Sequence, residues 1–287
     1  MFPPVDTKDP TAVATFVGEN LVAMHPGASL DWLNRLFGDI EDLFTGRRPD
    51  YGPIDLRYHD LEHTLQATVC LSLLLAGRHR VGAEPRLDAR HTELALSAAL
   101  LHDAGYLKLR SDVGGTGAKY TYSHVPRSCA FAATHLARAG AAAGEIETVL
   151  DAINCTGPTT EIGRLQFKDP TARVIGCALA TADYLGQMAA PDYPDELEAL
   201  FNEFREADEF VRVPVEQRLF KSAAELIERT PRFWRHHVRS KLEIDFEGMY
   251  RFLASPYPEG PNMYMRAVET NMAEISRRIA AAAPAAR

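Results

Sequence analysis

The chain has 287 residues, 46% of them apolar and 24% charged, with a net charge of −8. That is the composition of a globular protein large enough to bury a core without staples. It argues against a nucleic-acid polymer read through a basic surface, and no apolar run reaches the roughly 18 residues that mark a bilayer span. Cys70, Cys129, Cys155 and Cys177 are widely spaced, with no Cys-x-x-Cys pair, and Met1–Asp6 carries no basic region leading into an apolar run. These features read as reduced thiols in a cytoplasmic protein.

Strand signals are scarce and the chain reads as all-α. Residues 11–24 place Val13, Phe16, Val17, Leu21 and Met24 on one face, and Ser29 offers a cap for a second helix reaching Phe44. After the turn-rich 46–53 segment come helices over about 59–77 and about 87–106. Residues 107–123 read as an irregular, mobile connection or flap; Gly114-Gly115-Thr116-Gly117 lacks the spacing of a phosphate loop. Pro126 reads as the first residue of a helix running to about 139, and another covers 144–155, ended by Gly157-Pro158. Asp169-Pro170 is a cap followed by proline and opens a helix through Met188. Beyond Pro191, helices are expected near 195–211, 215–229, 231–241, 245–254 and 262–281, with the alanine-rich 280–286 tail fraying. The organisation that follows is a helical N-terminal extension (1–54), a core (55–190) and a helical C-terminal region packed on it (191–287).

The functional candidates are polar residues inside apolar runs. Glu93 to Leu101 is apolar almost all round a helix and ends in His102-Asp103. An imidazole and a carboxylate in such a place are costly unless something replaces their hydration. A metal ion is the simplest replacement, since both groups are ligands for hard or borderline cations. Upstream, Tyr58-His59-Asp60-Leu61-Glu62-His63 places His59 and His63 four apart, on one face of a helix. Either both bind one ion, or one binds it and the other faces substrate as a proton donor. Asp60 and Glu62 are candidates to orient the ligating histidines. Downstream, Asp183 sits in the apolar stripe of Ile175, Ala178, Leu179, Ala182 and Leu185; it reads either as a further ligand or as a salt-bridge partner of Arg173. His124 suits a second ion or a substrate. Lys108, Arg110, Lys119 and Arg127 are candidates for holding a substrate phosphate. His236-His237 point about 100° apart on a helix and read as packing and surface, or as a subunit contact.

His63, His102-Asp103 and Asp183 resemble, in order, the H…HD…D pattern of the HD-domain metal-dependent phosphohydrolases. Tyr58-His59-Asp60-Leu61-Glu62-His63 is similar to the Y-H-N-x-x-H segment of cyclic-nucleotide phosphodiesterases, with Asp60 in place of Asn. The resemblance covers about residues 55–190. It implies a phosphodiesterase-like helical core in which His63, His102, Asp103 and Asp183 bind a first metal. Asp103 would bridge to a second, His59 would protonate the leaving oxygen, and His124 would contact the second metal or the substrate. His59 and Asp103 are then the catalytic residues. The Ile153-Asn154-Cys155-Thr156 stretch lacks the further histidine of several subfamilies, and no G-Y-P signature follows the central pair.

The expected activity is hydrolysis of a small, nucleotide-like or other phosphorylated substrate by metal-activated water, with one or two divalent ions of Mn, Fe, Ni, Zn or Mg. No membrane or nucleic-acid partner is expected, and homo-oligomerisation is open. The rivals are a di-iron oxygenase on the same scaffold and a catalytically silent metal-binding regulatory protein.

Overall fold

The computed structural model describes residues 2–157 and 159–282, and every regular element among them is helical. The α-helices are α1 (Pro10–Met24), α2 (Asp31–Phe44), α3 (Leu61–Val81), α4 (Ala89–Leu101), α5 (His124–Arg138), α6 (Ala143–Asn154), α7 (Pro170–Met188), α8 (Tyr193–Phe210), α9 (Ala223–Phe233) and α10 (Met263–Ala282). The isolated bridges Tyr51–Leu109 and Ala254–Asn262 are the extent of strand pairing among the described residues. Among the described residues no helix is long and apolar enough to cross a membrane.

The caps explain where most of these helices begin. Asp9 accepts from the amides of Thr11 and Ala12 ahead of α1, and Asp169 from Ala172 ahead of α7, each followed by proline. Both satisfy helix-start donors that would otherwise be orphaned. Before α2 the cap position belongs to Leu30, which offers no side-chain bond, and the Ser29 hydroxyl takes the Asp31 amide instead.

α3, α4 and α7 form the centre. α4 is buried from Leu94 through Leu101 on every face, as its all-round apolar pattern requires. α3 packs along α7, with α1 and α4 against its other sides; α6 leans on α4 and α7, and α5 packs on α6 and on the Ala104–Tyr106 turn after α4. One contiguous apolar core runs from Val13 in α1 to Ile275 in α10, so the 1–54, 55–190 and 191–287 segments share it. α10 packs on α7, and Asn271 donates to the carbonyls of Met188 and Ala190 at 2.9 and 2.7 Å, tying the C-terminal region to the end of α7.

Several sequence expectations are corrected. α3 starts at Leu61 with Asp60 as its cap, so His59 precedes the helix and shares no helical face with His63. α4 stops at Leu101 and a single 3-10 turn, Ala104–Tyr106, follows. α5 begins at His124, which leaves Pro126 third in the first turn, where a missing N–H is still harmless. The helix expected over 215–229 starts only at Ala223, because Ser222 caps it by accepting from Glu225 N; residues 215–217 make one 3-10 turn. α9 passes at Trp234–Val238 into π-helical turns, and His236 and His237 are exposed on them. Pro158 and the residues beyond Ala282, where fraying is expected from the sequence, lie outside the described residues.

The 107–123 connection is pinned, contrary to a mobile flap. Gly52 N donates to Lys108 O and Arg110 N to Asp50 O, while the Arg110 guanidinium holds the carbonyls of Pro49 and Gly46. Glu206 of α8 accepts from Thr116 Oγ1 at 2.7 Å, and Asp208 accepts from the Tyr122 hydroxyl.

Candidate metal centre

Three elements bring the central residues together. Asp60 accepts from His63 N at 3.0 Å, which sets His63 in the first turn of α3. His102 caps the C-terminus of α4, where the last carbonyls lack helical partners. Its Nδ1 donates to one of them, Ala99 O, at 2.7 Å. Asp103 follows as the chain turns, and Asp183 projects from the middle of α7. His63 Nε2 lies 3.1 Å from Asp103 Oδ2 and 3.3 Å from Asp183 Oδ1; His102 Nε2 lies 3.3 and 3.5 Å from the same two oxygens. His63, His102 and Asp103 are 4, 1 and 2% exposed and form a group whose ligand atoms could hold a metal ion.

The electrostatics of this group call for a positive charge at its centre. A carbonyl oxygen only accepts, so His102 carries a proton on Nδ1 and directs Nε2 at two carboxylates, an arrangement that needs a cation, proton or metal, between them. His102 Nε2 and Asp103 Oδ2 are buried with no hydrogen-bond partner, because their close neighbours are out of alignment. Such groups cost about 1–3 kcal/mol each if left alone. Burial alone would lower the basicity of His63, but the Asp103 and Asp183 carboxylates outweigh it and hold the imidazole up at about 10. His102 is raised for the same reason, against the pull of its burial. Both carboxyls are held well below their usual range, the neighbouring imidazoles overcoming burial. Two bases made more basic and two acids made more acidic are poised to hold a cation, whether proton or metal. The donor set of imidazole and carboxylate, without thiolate, suits a divalent ion. Arg173, the rival partner for Asp183, pairs with Glu247 at 2.7 Å instead.

Beside this group, His59 Nδ1 is 2.6 Å from Glu203 Oε2, and the other oxygen of Glu203 accepts from the amides of Tyr58 and Arg57 at 2.8 and 3.2 Å. One buried carboxylate of α8 thus fixes both the backbone and the ring of His59. The His59 ring stands edge-on to His63 at 5.5 Å and lies parallel to the Tyr106 ring at 4.7 Å. Tyr106 is also parallel to His124 at 4.7 Å. His124 donates from Nδ1 to Thr121 O and turns Nε2 toward Asp103 Oδ1, 3.9 Å away; burial lowers its basicity.

The remaining candidates have other partners. Lys108 bonds Asp55 and Gly115 O, Lys119 bonds Asp112 and Gly114 O, and Arg127 bonds the carbonyls of Gly105 and Leu107 while stacking on Tyr120. All three hold the 105–120 segment in shape. Asp60 acts through the backbone and Glu62 accepts from Thr7, so neither orients an imidazole. Those tasks fall to residues absent from the sequence reading, Glu203 for His59 and Gln187 for His63, the latter at 2.9 Å from Nδ1. Their signal in the sequence is weak. Glu203 lies beside the Leu197, Phe201, Phe204 stripe of α8, and Gln187 one turn after Asp183.

Residues 50–247 match the family model described as Npun_R2479-like. The chain belongs to that family. The matched span contains every residue of the centre, from His59 to Glu203, and leaves out α1, α2 and α10. No curated protein matches the chain.

Proposed function

We propose that this member of the family is a metal-dependent hydrolase of a small phosphorylated molecule. His63, His102, Asp103 and Asp183 would hold the ion, and His59 would give a proton to the departing oxygen. The observation that carries the reading is the pair of buried, unpartnered ligand atoms, His102 Nε2 and Asp103 Oδ2, at the meeting point of two imidazoles and two carboxylates. A divalent cation there supplies Lewis acidity, making water acidic near neutral pH and offsetting phosphoryl charge. The H…HD…D order, which resembles the HD-domain phosphohydrolases, supports the same assignment.

The protein's own part is positioning and proton transfer. Glu203 accepts from Nδ1–H of His59, so that Nε2, when the ring also carries a proton there, would be the atom that hands a proton to the departing oxygen. His59 is 16% exposed in its side chain, more open than His63, His102 and Asp103 and close to Asp183 at 19%, so this side of the centre is the one a substrate could reach. General acid catalysis of this kind contributes about 10²–10⁴-fold. His124 is placed to serve a second ion or the substrate. The enclosure of the centre favours one other reading, a catalytically silent metal site in a regulatory protein.

Metal content and hydrolysis of bis(p-nitrophenyl) phosphate and p-nitrophenyl phosphate with Mn, Mg, Ni or Fe separate the two. The hydrolase reading expects stimulated cleavage, loss of bound metal in D103A, and retained metal with turnover reduced at least about 100-fold in H59A. Tight metal without cleavage would support the silent site, and oxygen consumption with bound iron would support oxygenase chemistry. Stoichiometric metal in D103A would overturn the assigned ligands.

A further inference from the structure

We infer that the side-chain carbonyl of Gln187 is the acceptor that locks His63 in the tautomer needed to bind a cation, which makes Gln187 a positioning residue of the centre. The inference rests on the metal reading above. His63 turns Nε2 toward Asp103 and Asp183. An imidazole that offers the Nε2 lone pair to a cation must carry its proton on Nδ1, and that N–H is buried with the ring. The group at hydrogen-bond distance is the Gln187 amide, 2.9 Å away. In the arrangement described, its nitrogen faces Nδ1, which suits only the opposite tautomer. A 180° turn of the amide presents Oε1 and leaves the heavy-atom positions unchanged.

The other side of Gln187 favours that turn independently. Gln187 and His63 both line a cavity of about 110 Å³, whose wall carries Asp60, Glu62, Asp192 and Glu196 against Lys8 and Arg57. An NH₂ group directed into a mainly acidic cavity is matched by acceptors, whereas a carbonyl directed there faces like charge. Carbonyl toward His63 and NH₂ toward the cavity therefore satisfy both neighbours. His102 has the same support from Ala99 O, so each ligating imidazole donates its distal N–H to a fixed carbonyl, the pattern that orients metal-bound histidines.

The test is Mn(II) and Zn(II) affinity by calorimetry for the full-length wild type, Q187L and Q187E, with metal-free melting temperatures. Side-chain ¹⁵N shifts of His63 in the Zn(II)-loaded protein report the hydrogen bond of its Nδ1–H. Q187L is expected to lose about 10–100-fold in affinity, and its metal-free melting temperature to fall by no more than the few degrees that one unmatched buried N–H costs. Q187E, which keeps an acceptor, is expected to bind at least as tightly as the wild type, with the hydrogen bond from His63 Nδ1–H retained. Wild-type affinity in Q187L, or equal losses in both variants, would overturn the role of Gln187 and leave the metal centre standing. Absence of metal binding by the wild type would remove the centre itself and this inference with it.

Discussion

The Tyr106 hydroxyl is the one polar group of this neighbourhood that a cation at the centre does not explain. It is buried with no partner in good hydrogen-bond geometry, the Thr121 side chain offering only a weak one, and burial pushes its acidity far below that of a free phenol. The phenol therefore stays protonated next to His59 and His124. Leaving such a donor unmatched costs about 1–3 kcal/mol, so its removal should relieve the free protein. Y106F is expected to keep the ring stack and to melt at the wild-type temperature or up to a few degrees higher; a clear drop in thermal unfolding would show that the hydroxyl is bonded. Residues of this kind divide cleanly by what the sequence makes visible. His102, Asp103 and Asp183 stand out because each interrupts an apolar run, and that anomaly is local. Glu203 and Gln187 reach their histidines across 144 and 124 residues, a separation at which no spacing rule operates.

Helix packing decides whether these side chains meet. α3 and α7 cross so closely at Gly186 that a Cβ there would sit 2.8 Å from Ala67 N and from the Gln66 carbonyl carbon and oxygen. These are backbone atoms, which no rotamer change can move. Gly186 lies between Asp183 and Gln187, so separating the helices also withdraws both from His63. G186A is expected to cost about 1–3 kcal/mol through overpacking, seen as a melting temperature lower by several degrees, together with weaker metal binding. Unchanged values in a melt and a metal titration would mean that the crossing tolerates a methyl group. Gly105 plays a related part where α5 passes the His102-Asp103 turn, since a Cβ would lie 2.0 Å from His124 O. The existence of these helices was readable from apolar period and caps. Their ends at the site were not, because His59 leaves α3 through the Asp60 cap and His102 ends α4 by taking a free carbonyl for its ring.

Across the whole molecule, one core joins segments that the sequence suggests dividing, and α8 from beyond residue 190 supplies both the hold on His59 and the ties to the 107–123 connection. A cation bound at the junction of α3, α4 and α7 should therefore stabilise the entire fold. A ligand at a hundred times its Kd adds about 2.7 kcal/mol, which at this size is a rise of roughly 5–10 °C in melting temperature. Addition of Mn(II) or Zn(II) to chelated protein checks this, and an unmoved transition would count against a cation bound only by the folded state. By itself the sequence determined the all-α class, the positions of most helices, the free thiols and the residues that carry the anomaly of buried charge, since periodicity, caps and local polarity are written within a few residues. Only the tertiary structure decided that Asp183 faces imidazoles and Arg173 faces Glu247, that the glycine-rich connection is pinned, and that Glu203 and Gln187 orient the histidines. Those outcomes depend on which helices pack together, and that is set by the shape of the whole core.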